Sequence, residues 1–207
     1  DISFMRTIPS MVMMAPRDGD QLQSMLRLAL NYNDGPSAIR YARGAVPESI
    51  PSINPVNQNT IGLSEKILSG NDVCFIAIGT MVSVAVEAAK LLKNNNISAE
   101  VIDARFVKPL DQDMLLNAIN KFEHIFIVEE NSECGGLGSA VLEFAAKNKV
   151  LNKSSIVNIA IPDNFIEQGT ISELYGIIGL NAKSISDKVI SELPCLKNQN
   201  QEASSVE

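Results

Sequence analysis

Short, almost continuously apolar runs at residues 73–78, 99–104, 125–128 and 156–161 alternate with segments whose apolar residues recur at helical spacing. A strand apolar at successive positions is buried on both faces, and amphipathic helices between such strands supply the cover. The alternation predicts an α/β fold: a mostly parallel open sheet with helices on both faces, joined by right-handed crossovers. The connecting helices are expected after Thr80, an N-cap for a face of Val82, Ala85, Val86 and Ala89; over 112–122; and over 140–147, opened by Gly135-Gly136-Leu137-Gly138-Ser139. Two closing helices are expected near 171–179 and 185–193. None of the apolar runs approaches the ~20 residues that span a bilayer.

Upstream lies a smaller unit. Residues 11–14 read as a buried strand, and Asp18 as the N-cap of a helix with Leu22, Met25, Leu26 and Ala29 on one face. Asn33-Asp34-Gly35-Pro36 stops that helix, and residues 37–41 resume an extended course that breaks at Gly44. This strand–helix–strand is too small to bury its own core. Residues 45–59, with three prolines and no helical period, read as an extended linker, and 194–207 as a polar, frayed tail. The chain opens at Asp1 without Met, and reads as a piece of something longer.

Composition narrows the function classes. Seventeen Lys and Arg against 24 Asp and Glu give a net charge of -7, which disfavours nucleic acid or an anionic membrane as main partner. Cys74, Cys134 and Cys195 are scattered and odd in number, which suits a reducing compartment and matches no metal-binding spacing. His124, the sole histidine, sits at the entry to an apolar run and reads as a strand-edge residue, so zinc-hydrolase and Cys–His nucleophile chemistries are weak readings.

Three groups of residues could carry chemistry. Arg40 and Arg43, beside Gly44 at the carboxyl end of a strand, could fork onto a small anion, because ligands of open α/β sheets bind at that end; spacing alone favours surface salt bridges instead. The two do not share a ligand unless the strand has ended by Ala42. The glycine-rich turn at 135–139 could expose helix amides to an anion, but Glu129, Glu130 and Glu133 upstream would repel phosphate, and close helix packing is favoured. Glu129 and Glu130 face opposite ways on a strand, so they form no shared-proton dyad, although one could be buried with a raised pKa. Asp103, Arg105 and Lys108 read as a structural ion pair at a strand exit.

The strings Asp1-Ile2-Ser3-Phe4-Met5-Arg6, Asn33-Asp34-Gly35-Pro36-Ser37-Ala38-Ile39-Arg40-Tyr41-Ala42-Arg43-Gly44, Asp103-Ala104-Arg105-Phe106-Val107-Lys108-Pro109-Leu110-Asp111, Val128-Glu129-Glu130-Asn131 and Ile161-Pro162-Asp163-Asn164-Phe165-Ile166-Glu167-Gln168-Gly169 occur in order. Together they resemble the C-terminal third of the 1-deoxy-D-xylulose-5-phosphate synthases, thiamine-diphosphate enzymes of the transketolase superfamily. The Asp103 and Ile161 strings are specific to that family and disfavour two other members, transketolase itself and a pyruvate dehydrogenase beta subunit. A non-catalytic interaction or regulatory module is the remaining alternative.

The resemblance implies that residues 1–44 end a pyrimidine-binding domain and 60–193 form a transketolase C-terminal domain that buttresses the catalytic domains of a homodimer. It implies a reaction of pyruvate with D-glyceraldehyde 3-phosphate, at the start of non-mevalonate isoprenoid and thiamine biosynthesis. The compartment implied is the bacterial cytoplasm or a plastid stroma. Arg43 matches an arginine that binds the acceptor's phosphate, with Arg40 as its support, in a motif where Ala42 replaces the usual proline. Thiamine diphosphate and Mg2+ are bound in that family by upstream residues, so no catalytic, cofactor-binding or metal residue is expected in this chain.

Overall fold

β4 (Val73–Ala77) is the centre around which the rest is arranged, since all five of its residues are buried. It pairs in parallel with β5 (Ala99–Asp103) on one side and β7 (His124–Ser132) on the other. β8 (Ser155–Ile161) continues the parallel run beyond β7. These are the strands expected from the apolar runs. The computed structural model describes residues 1–193, so the tail at 194–207 lies outside the described residues.

Alternation along β4 divides the core. Cys74 and Ile76 point into one layer with Leu115, Ile119, Val141 and Phe144, from α4 (Gln112–Lys121) and α5 (Leu137–Lys147). Val73, Phe75 and Ala77 point into the other with Val82, Ala85, Ile185 and Val189, from α3 (Met81–Lys93) and α7 (Ala182–Glu192). Helices thus cover both faces. α6 (Ile171–Ile178) packs at the rim of the second layer through Tyr175 and Ile178, and none of its residues is fully buried.

The upstream unit does not stand apart. β1 (Val12–Met14) pairs in parallel with β2 (Ser37–Ile39), as the two extended segments suggested. On its other edge β1 takes β6 (Phe106–Lys108) in antiparallel pairing, which makes a three-stranded sheet β2-β1-β6 across the two halves of the sequence. Val12, Met14, Met25, Leu28 and Phe106 form a small core there, while Met11 and Met13 join the main one.

Several local expectations are corrected. The main sheet gains an antiparallel edge strand, β3 (Glu65–Leu68), paired with β5; its alternating buried and half-buried residues match an edge, and two of its four residues are charged. A short helix, α1 (Ile2–Met5), precedes β1. α2 (Gly19–Asn31) is capped by Asp18, which accepts from the Gln21 amide at 2.9 Å. Its buried face, however, runs through Gln21, Met25 and Leu28, leaving Leu26 and Leu30 exposed. Gln21 turns inward because a buried carboxylate needs its side-chain amide. Thr80 is already helical, with φ -59° and ψ -21°, and makes no cap hydrogen bond; its hydroxyl faces Glu130 instead.

Candidate functional site

β1, β2 and β4 end at Met14, Ile39 and Ala77. The segments that follow them converge on a cleft of about 340 Å³. Pro16, Leu22, Tyr41 and Val46 give it apolar walls, and Arg17, Asp18, Arg43 and Thr80 its polar points. A concave, mostly apolar cleft with few polar groups, at the carboxyl ends of strands, is where an α/β fold binds small molecules.

The structure separates the two arginines singled out in the sequence. β2 has ended before Arg40, whose amide donates one last bond to the Met14 carbonyl at 2.8 Å. Its guanidinium is half-buried and bonds the Glu130 carboxylate at 2.7 Å, while the Thr80 hydroxyl lies 3.5 Å from the same oxygen. Tyr175 of α6 completes this group; burial, first, and the adjacent carboxylate push its hydroxyl well above the ordinary tyrosine range. Arg40 is therefore committed to an ion pair, as spacing suggested. Arg43 is exposed and lines the cleft, and no carboxylate among the described residues lies within ion-pair distance of it.

Beneath the cleft lies a charge cluster that sequence reasoning missed. Arg17 is buried, with Nη1 at 2.5 Å from Glu65 and 2.7 Å from Asp103, and Nε at 3.3 Å from Asp18. Burial works against the Arg17 charge, but Asp103 and Glu65 outweigh it and raise its pKa. Asp103 also accepts from Gln21 at 2.9 Å, yet desolvation holds its carboxyl above the ordinary range. The expected Asp103–Arg105 ion pair is not formed. Only the Arg105 backbone N–H reaches Asp103, at 2.9 Å, from a left-handed φ of +57°. That turn directs the Arg105 guanidinium to the Leu63 carbonyl and the Gln58 side chain, and burial lowers its pKa. Lys108 likewise serves backbone, donating to the carbonyls of Arg6 and Ile8. The Asp18 N-cap marked this loop, but nothing in sequence spacing pairs Arg17 with carboxylates 48 and 86 residues away.

The glycine-rich turn resolves as helix packing. Glu129, fully buried on β7, accepts from the amides of Leu137 at 2.7 Å and Gly138 at 2.8 Å. The helix N-terminus is thus occupied by the protein's own carboxylate. Burial raises the Glu129 pKa against the opposing pull of those amides. A Cβ on Gly136 would lie 2.1 Å from Glu129, and one on Gly138 2.4 Å from Asn158, so this approach requires glycine. The amides of Leu137 and Gly138 are therefore not free for an anion, and among the described residues no group of three His, Cys, Asp or Glu side chains is placed to hold a metal ion.

The family model described as the transketolase C-terminal domain matches residues 62–185. The chain belongs to the transketolase family. A second model, the transketolase pyrimidine-binding domain, matches residues 1–49. Relatives include the 1-deoxy-D-xylulose-5-phosphate synthase of Caldanaerobacter subterraneus, 39% identical over 190 residues, or 92% of this chain and 30% of that protein. Synthase 1 of Geobacter sulfurreducens is 42% identical over 186 residues, 90% of this chain and 29% of that protein. The chain thus spans about 30% of the length of the curated relatives it matches. Among solved structures, a split-gene transketolase described as an inactive beta4 tetramer superposes with a TM-score of 0.80 at 30% identity, covering 92% of this chain and 59% of that one. A transketolase from Campylobacter jejuni, 17% identical with a TM-score of 0.69 over 92% of this chain and 27% of that one, shares the fold. Among the described residues no helix is long and apolar enough to cross a membrane.

Proposed function

We propose that this chain forms the acceptor-phosphate side of a thiamine-diphosphate synthase that condenses pyruvate with D-glyceraldehyde 3-phosphate, with loss of carbon dioxide, to 1-deoxy-D-xylulose 5-phosphate, a step in isoprenoid and thiamine biosynthesis in the bacterial cytoplasm. Residues 1–44 end the pyrimidine-binding domain, 45–59 link, and 60–193 form the C-terminal domain that packs within a homodimer. Thiamine diphosphate and Mg2+ are held by polypeptide outside these residues, and the chemistry on pyruvate belongs there.

The observation that carries this reading is the contrast between the two arginines at one strand end: Arg40 is neutralised by Glu130, and Arg43 lines the cleft without a carboxylate partner among the described residues. A guanidinium so placed offers a planar fork to two oxygens of a phosphate. In a chain of net charge -7 it is a local positive point for a dianion. Among the mostly apolar walls this guanidinium is one of few polar points. The role of Arg43 is to hold the triose by its phosphate, so that the carbonyl end is turned away toward the catalytic centre.

The test is made in the complete synthase. Arg43→Ala is expected to raise KM for D-glyceraldehyde 3-phosphate by about 10- to 100-fold, since a hydrogen bond to a charged group contributes roughly 1.5–3 kcal/mol. Pyruvate KM should stay within about twofold. Equal damage to both substrates would refute the phosphate role.

A further inference from the structure

The backbone that carries Arg43 is suspended. Arg40 is its last residue bonded to β1, through the Met14 carbonyl, and the chain is next held at Ile50, whose amide donates to Asp18 at 3.2 Å. Between these two anchors no backbone group of residues 41–49 makes a hydrogen bond among the described residues. Gly44 has open space where a side chain would stand, and Tyr41 and Val46 are exposed. No hydrogen bond within the loop fixes its course, and its geometry at Arg43 is set chiefly by the nearer anchor, three residues away.

That anchor is built from distant elements. Glu130, on β7, reaches the Arg40 guanidinium at 2.7 Å, and both side chains are mostly withdrawn from solvent. Tyr175, on α6, stands beside the same carboxylate, as does the Thr80 hydroxyl at 3.5 Å. We infer that Glu130 is a positioning residue for Arg43: it fixes Arg40 and thereby the exit angle of the loop that presents the phosphate-binding guanidinium to the cleft. This rests on the proposed role of Arg43. Neither Glu130 nor Tyr175 lines the cleft. The high pKa of the Tyr175 hydroxyl keeps it protonated and able to face a carboxylate.

A double-mutant cycle in the complete synthase separates this from a general structural role. Glu130→Ala is expected to raise KM for D-glyceraldehyde 3-phosphate about tenfold, equivalent to about 1.4 kcal/mol, with pyruvate KM and kcat within about twofold. Glu130→Gln, which keeps an acceptor for Arg40, should restore most of the loss. In an Arg43→Ala background Glu130→Ala should add nothing, because there is no longer a guanidinium to aim. Full additivity in that background, or an equal rise for both substrates, would overturn the inference while leaving Arg43 in its role. If Arg43→Ala alone leaves acceptor KM unchanged, the functional reading has failed, and the positioning role falls with it.

Discussion

Replacing Arg17 with Met should be among the most damaging single changes to the stability of this chain. The substitution keeps the aliphatic stem and removes the guanidinium. Glu65 and Asp103, each with a fully buried side chain, then lose the cation that lies 2.5 and 2.7 Å from them. Breaking a buried ion pair from one side costs about 3–5 kcal/mol, because the remaining charge has neither water nor partner. Gln21 and the Arg105 amide still bond Asp103, which places the expected loss at the lower end of that range. For a chain of this size, 1 kcal/mol corresponds to roughly 2–4 °C in Tm, so a loss of about 3 kcal/mol lowers it by roughly 6–12 °C. Urea denaturation followed by circular dichroism, at two pH values, is the assay. Burial already holds Asp103 above the ordinary carboxyl range, and losing Arg17 raises it further. A carboxyl with a raised folded-state pKa binds its proton more tightly when folded, so its stabilisation is complete below the unfolded value and is lost as pH rises through the folded one. The deficit of Arg17→Met should therefore shrink on acidification. A loss under about 1 kcal/mol, the value of an exposed pair, or a deficit that grows as pH falls, would refute this account of the cluster.

Three further outcomes test other parts of the description. Glu129 also has a raised pKa through burial, so the stability of the unsubstituted chain relative to Glu129→Gln should be greatest in acid and fall as pH rises through the folded-state value; denaturation midpoints across that range check the sign. Gly138→Ala should cost about 1–3 kcal/mol in a urea melt, because its Cβ would sit 2.4 Å from Asn158 in a well-packed turn. On α2, Met25→Ala should cost about 2–5 kcal/mol and Leu30→Ser less than about 0.5 kcal/mol, as their opposite exposures, 0% and 81%, require.

Residues 73–78 and 125–128 were legible as strands because burial on both faces demands uninterrupted apolar sequence, a requirement visible without any partner. β3 and β6 were not. An edge strand buries one face, tolerates Glu65 and Lys66, and leaves no such run. β6 exists because β1 offers an unpaired edge, and that is a property of the assembled fold. The orientation of α2 was misread for a related reason: Leu26 and Leu30 obey the helical period, but Gln21 is drawn inward by Asp103, 82 positions away. At the cleft, Arg43 was singled out through its motif and strand-end position. Local spacing could not distinguish it from Arg40, because what divides their surroundings is Glu130, 90 residues from Arg40.

The pairing of β1 with β6 also bears on how this molecule would survive damage. Its proline-rich segment at 45–59 is the natural place for a protease to cut. Such a cut severs the polypeptide but not the sheet, because one strand of the three comes from the far side of the break. The Arg17 cluster bridges the same gap with Glu65 and Asp103. A nicked molecule would therefore travel as one particle under native conditions and part into two pieces only in denaturant.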